Sequence, residues 1–189
     1  MADAGARALA EHLELTAACE ALLPEVDAAA EALVACLEGG CRIYTFGNGG
    51  SAVDANHFAE ELVGRFRRER RPLPAQSLSV DAAALTCIAN DYAFEEIFER
   101  PLRAFVRAGD AAVGFTTSGR SANVVRALAA ARELGALTVL FGGGDGGPAA
   151  AHADHALVVP SSSTARVQEL HVLFLHLVID RIDAWAAGE

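Results

Sequence analysis

The chain has 189 residues, a formal net charge of -10, and 52% hydrophobic against 6% aromatic residues. That length suits one α/β domain whose core is built from Ala, Val, Leu and Ile, and the acidity argues against a nucleic-acid partner without excluding a local anion site. All fifteen basic residues are arginine, which excludes Schiff-base aldolases and Walker-type nucleotide hydrolases, since both need a lysine amine.

No apolar run reaches the length of a membrane span. Residues 1–5 lack the basic start and apolar core of a signal peptide, so the expectation is a cytoplasmic protein with no membrane partner. Cys19, Cys36, Cys41 and Cys87 have no metal-like spacing and read as buried free thiols.

Apolar residues at helical spacing predict helices over 8–23 and 26–37, separated by Pro24 and stopped by Gly39-Gly40. Both carry apolar surface on more than one side, which predicts burial against another subunit as well as the sheet. Residues 42–46 then read as a strand running into Gly47-Asn48-Gly49-Gly50-Ser51. The glycines permit positive φ and close approach of a ligand to the backbone, and Ser51 can cap the helix that follows. A helix start of this kind attracts anions. His57 and Glu61, four residues apart, place an imidazole and a carboxylate on one face of that helix. The basic run 65–71 reads as a solvated helix end whose cations complement the dipole.

A strand over 75–80, a helix over 82–89, a polar junction at Asn90-Asp91 and a helix over 94–106 interrupted by Pro101 come next. Strand 111–115 leads into Thr116-Thr117-Ser118-Gly119-Arg120-Ser121 and a helix over 122–134. Four hydroxyls and a glycine at a helix start can hold the oxygens of a phosphate. Strand 137–141 ends in the glycine run 142–147, which reads as flexible linkage, and strand 156–159 precedes a last helix over 164–187 carrying Gln168, Glu169, His171 and His176. A histidine on an apolar helix face is more often a satisfied core residue than a ligand.

Strands alternating with helices predict a three-layer αβα sandwich with a five-stranded parallel sheet, whose ligands bind beyond the carboxyl ends of the strands. The whole of 1–189 reads as a single domain, with N-terminal helices over 1–40, a βα core over 41–160 and a C-terminal helix over 161–189.

The loop 47–51, the stretch His57-Phe58-Ala59-Glu60-Glu61-Leu62, Asn90-Asp91, Thr117-Ser118-Gly119 with Ser121, and Arg166-Val167-Gln168-Glu169-Leu170-His171 occur in this order. Together they resemble the sedoheptulose 7-phosphate isomerases of the sugar isomerase (SIS) fold, over about residues 8–182. The resemblance implies a zinc cofactor held by His57, Glu61, Gln168 and His176, with Glu61 and His176 as the proton-transfer pair. It further implies phosphate binding by Thr116, Thr117, Ser118 and Ser121, substrate contacts from Asn48, Gly49, Gly50, Ser51, Glu61, Asn90, Asp91 and Gln168, and a homotetramer as the working assembly. Nitrogen and oxygen donors suit zinc, and ketose–aldose interconversion through an enediol needs one carboxylate base and one acid that serves the oxygens.

Eight residues separate Gln168 from His176, a rise of roughly 12 Å on a continuous helix. Either Gln168 sits at a displaced helix start or the site spans subunits. Many members of the resembled family carry an acidic residue where this chain has Ala165, and Arg120 stands where asparagine is common. The rival is a non-catalytic SIS protein resembling the DnaA-binding DiaA, whose pattern shares the alanine at 165 but lacks the acid of Glu61 and the imidazole of His176. An isomerase of another phosphorylated sugar is the third possibility.

Overall fold

The computed structural model describes residues 2–189; Met1, the first residue of the N-terminal stretch read above, lies outside them. Five parallel strands form one sheet in the order β2-β1-β3-β4-β5, comprising β1 (Ile43–Gly47), β2 (Ala75–Ser77), β3 (Ala111–Phe115), β4 (Leu137–Gly143) and β5 (His155–Val159). Helices α2 (Leu23–Glu38), α3 (Gly50–Val63) and α8 (Thr164–Ala187) pack one face, and α5 (Glu99–Phe105) and α6 (Ala122–Glu133) the other. α4 (Ala82–Asp91) and the short α7 (Gly147–Ala150) flank that second face. The result is the three-layer αβα sandwich expected.

β1 and β3 are buried along their whole length because both sheet faces are covered, which is why neither reads as an alternation of apolar and polar residues. From β1 the chain passes to β2 on one side and then to β3 on the other. Connections therefore diverge between β1 and β3, and the loops after these two strands open a crevice at the carboxyl edge of the sheet.

The N-terminal helices differ from expectation. Pro24 does not separate them but sits in the first turn of α2, where its missing N–H leaves nothing unsatisfied. α2 buries Val26, Ala29, Ala30, Leu33, Cys36 and Leu37 within its own chain, against α8 and the sheet. α1 (Ala2–Ala18) keeps more apolar surface open, with Leu9 and Leu13 exposed, and Leu23 is exposed at the start of α2. Of the four free cysteines, Cys19 and Cys36 are buried, whereas Cys41 is half-buried and Cys87 is exposed on α4. No helix among the described residues is long and apolar enough to cross a membrane.

Candidate active site at the carboxyl edge

Three helices begin at the crevice: α3 at Gly50, α6 at Ala122 and α8 at Thr164. Their first turns, with the loops after β1 and β3, line a cleft of about 200 Å³ formed by Asn48, Gly50, Ser51, Phe115, Thr116, Thr117, Ser118, Ser121, Thr164 and Gln168. None of these side chains is charged. Three converging helix N-termini supply the positive potential instead, and the surrounding hydroxyls can donate to an anion.

Local geometry differs from the sequence reading at Ser51. The helix starts two residues earlier, with Gly49 as its N-cap at φ +57° and no side-chain cap, so Ser51 is buried in the first turn and faces the cleft. Chain reversal after β1 is so tight that a Cβ on Gly47 would lie 2.6 Å from the Ser51 carbonyl oxygen, which restricts the position to glycine. In the second loop, the Thr116 hydroxyl accepts from the Gly119 N–H at 3.2 Å and the Ser118 hydroxyl from the Arg120 N–H at 3.2 Å. Ser121 is the N-cap of α6 but makes no capping bond, which leaves its hydroxyl for another partner. Arg120 turns away from the cleft and donates both its bonds to Asp145, at 2.7 and 3.0 Å.

The two loops are tied together by a residue the sequence did not single out. Asn48 and Asn123 exchange side-chain amide bonds, each 2.9 Å, across 75 positions. An asparagine in the first turn of the helix after a hydroxyl-rich loop was the available signal.

A second feature lies further along α3 and α8. The ligand-capable atoms of His57, Glu61 and His176 all lie within 4.8 Å of one another. His57 Nε2 is 3.3 Å from Glu61 Oε1, and the two imidazole rings meet edge to face at 5.1 Å. Phe66 stacks on His176 at 5.4 Å, and partial burial with the neighbouring His57 holds that imidazole below its ordinary pKa. A neutral ring beside another imidazole and a carboxylate is a donor set that fits zinc.

Gln168 does not join this cluster within the chain. α8 is continuous from Thr164 to Ala187, and the Gln168 amide fills the place where a Cβ on Gly50 would be, at the mouth of the anion cleft. The displaced helix start is thereby eliminated. Asn90 and Asp91 also lie outside the cleft. They form the exposed last turn of α4 rather than a junction, and the Asn90 amide donates to Asp91 at 2.8 Å. That bond and one from Cys87 hold the Asp91 carboxyl below the usual range. Their neighbour Ala89 does share a hollow with Asn48 and Gly49.

His171 proves to be a core residue. It is wholly buried beside Phe115 and Phe141, its Nε2 is 2.9 Å from the Gly142 carbonyl, and burial pushes its pKa down to about 4.

Asp54, between Ser51 and His57 on α3, is buried with Oδ2 unpartnered, and burial raises its pKa to about 6 from 3.8. A carboxyl whose folded pKa is raised lends stability below its unfolded pKa and loses it as pH rises through the folded value. The shift corresponds to about 3 kcal/mol. Asp54→Asn is therefore expected to melt several degrees above the wild type at pH 7.5 and at the same temperature at pH 4. An equal change at both values would show that ionisation of Asp54 is not the cause.

Fold and cleft define a doubly wound α/β domain of the kind that takes ligands beyond the carboxyl ends of its strands. A family model described as SIS domain matches residues 9–143. The phosphoheptose isomerase of Paramagnetospirillum magneticum is 47% identical over 180 residues, covering 95% of this chain and 94% of that protein. The phosphoheptose isomerase of Aquifex aeolicus is 50% identical, covering 78% and 77%. Among solved structures, phosphoheptose isomerase GmhA from Neisseria gonorrhoeae superposes with a TM-score of 0.91 at 41% identity, over 96% of this chain and 98% of that one. The chain belongs to the SIS-domain family and, within it, to the phosphoheptose isomerases.

Proposed function

We propose that this isomerase interconverts sedoheptulose 7-phosphate and D-glycero-D-manno-heptose 7-phosphate. The observation that carries the reading is the pairing, along α3 and α8, of an anion cleft with a His/Glu/His cluster. Gly50 touches Gln168, and two turns on His57 touches His176, so about 10–12 Å of helix rise separates the cleft from the cluster. An extended seven-carbon sugar with a phosphate at one end and a carbonyl at the other is of comparable length.

In this reading Thr116, Thr117, Ser118 and Ser121, with Ser51, hold the phosphate, while Asn48, Gly49 and Gly50 meet the sugar. Phosphate binding serves to orient the reacting carbons. Glu61 takes the proton from the hydroxymethyl carbon and returns it to the adjacent carbon by way of an enediol, and His176 exchanges protons with the two oxygens. His57, Glu61 and His176 would hold a zinc ion, which supplies a Lewis acid for the carbonyl. Gln168 could complete the ligand set only from a second copy, because its own chain directs it to Gly50. The exposed Leu9 and Leu13 of α1 offer a face for that association, in a homotetramer.

An NMR time course with sedoheptulose 7-phosphate, on zinc-loaded and chelated samples, tests this directly. Aldose signals are expected only with metal. Turnover that survives chelation would remove zinc from the mechanism. No turnover in either sample would favour the DiaA-like binding role or another ketose phosphate, which a substrate screen separates. Ala165 is exposed beside Thr164, which lines the cleft.

A further inference from the structure

The basic run 65–71 was expected to be solvated, yet the side chains of Arg70 and Asp183 are both fully buried and paired at 2.9 Å. The chain leaves α3 at Val63 and passes Phe66 over His176 before Arg70 turns back beneath the helix end. There the guanidinium donates to the carbonyls of Glu61 at 2.6 Å, Leu62 at 2.9 Å, Gly64 at 3.2 Å and Arg71 at 3.0 Å. These include carbonyls that the last turn of α3 cannot satisfy by itself. Asp183 sits on α8, seven residues beyond His176. Its Oδ1 accepts from Arg70 Nε, and its Oδ2 accepts from the backbone N–H groups of Arg67 at 3.1 Å and Arg68 at 2.8 Å.

A buried ion pair is a poor device for stability alone, because desolvating two charges offsets most of their attraction and an apolar pair would fill the same space. What it supplies is direction: a planar guanidinium fork fixes several acceptors at once. Here the acceptors are the turn that carries Glu61 and the helix that carries His176.

We propose that Arg70 and Asp183 are positioning residues for the His57–Glu61–His176 cluster, locking the end of α3 to α8 and thereby fixing Glu61 and His57 against His176. The inference rests on the reading of that cluster as the reacting, metal-holding site. Coupling of this kind is reciprocal. If the clasp sets the spacing of the ligands, zinc binding must in turn tighten the clasp.

The variants R70K and D183E keep charge and hydrogen-bonding type while altering the fork and the reach. I43V, at the opposite end of β1, controls for lost stability. R70K and D183E are expected to lose about 10–100-fold in zinc affinity by competition titration, the range for groups that support metal ligands. Their kcat should fall with KM little changed, and the imidazole nitrogen signals of His57 and His176 should shift while those of His155 do not. In the unaltered protein, zinc should slow hydrogen exchange at the Arg67 and Arg68 amides. Variants that match I43V in zinc affinity and imidazole signals, or exchange at those two amides unmoved by zinc, would overturn the proposal. If R70K does not fold, D183E and the exchange measurement decide. A wild type that binds no zinc sinks the reading of the site, and the imidazole signals of the variants then test the clasp by themselves.

Discussion

Glu61→Gln is expected to lower turnover of the sugar phosphate by about 10²–10⁴-fold, the range attributed to a positioned general base, with little change in KM or melting temperature. Glutamine preserves the shape of a side chain that is only 15% exposed and that lies 3.3 Å from His57. It removes the basic oxygen pair, so the proton on the substrate carbon has no acceptor. The anion cleft, two to three turns away at the start of α3, is untouched, and the phosphate should bind as before. Loss of a carboxylate also weakens a zinc site. The decisive measurement is therefore kcat at zinc concentrations high enough to restore full occupancy. A deficit that persists assigns the proton transfer to Glu61, whereas recovery of activity would restrict Glu61 to holding the metal.

The parts of the fold that sequence revealed are those specified locally. β3 and α8 fall at 111–115 and 164–187 as read, because a glycine or hydroxyl cluster marks the start or end of each. β2 is shorter than the 75–80 expected, since it is an edge strand paired with β1 over three residues, after which the Ser79 hydroxyl bonds the backbone of Gly47 instead. The helix expected over 94–106 divides into a 3₁₀ turn at Phe94–Glu96 and α5, and Pro101 falls in the first turn of α5, where it is tolerated. At the site, the two loops and the His57–Glu61 pair were visible because each is contiguous or one helical turn apart. Arg70 and Asp183 were not, since 113 residues separate them and neither spacing nor composition marks one arginine of a basic run as buried. Asn123 and its pairing with Asn48 escaped because 75 positions separate the two. The misfit of Gln168, by contrast, was predictable from helix rise alone, and the continuous α8 leaves a second copy as the remaining route to a four-ligand set.

Gly119→Ala is the second substitution expected to have a large effect, and it bears on the glycine run that sequence suggested was flexible linkage. Gly119 has φ +66°, and a Cβ there would overlap the carbonyl group of Gly146. In return, a Cβ on Gly147 would come within 2.7 Å of the Gly119 carbonyl oxygen. The loop after β4 is thus the backing against which the hydroxyl loop after β3 is pressed, and the Gly119 carbonyl accepts from the Ala149 N–H at 3.1 Å to seal the contact. Adding a methyl group combines the cost of a left-handed alanine with overpacking against backbone that cannot move aside, together about 3 kcal/mol. For a chain of this size that is a fall in Tm of roughly 6–12 °C. Because Thr116, Thr117, Ser118 and Ser121 belong to the displaced loop, KM for the sugar phosphate should rise as well. Gly144→Ala provides the contrast: its φ is also +66°, yet nothing lies within 4 Å of its Cβ position, so about 1 kcal/mol and an unchanged KM are expected. If the two variants behaved alike in Tm and KM, the packing of one loop upon the other would not be what shapes the anion cleft.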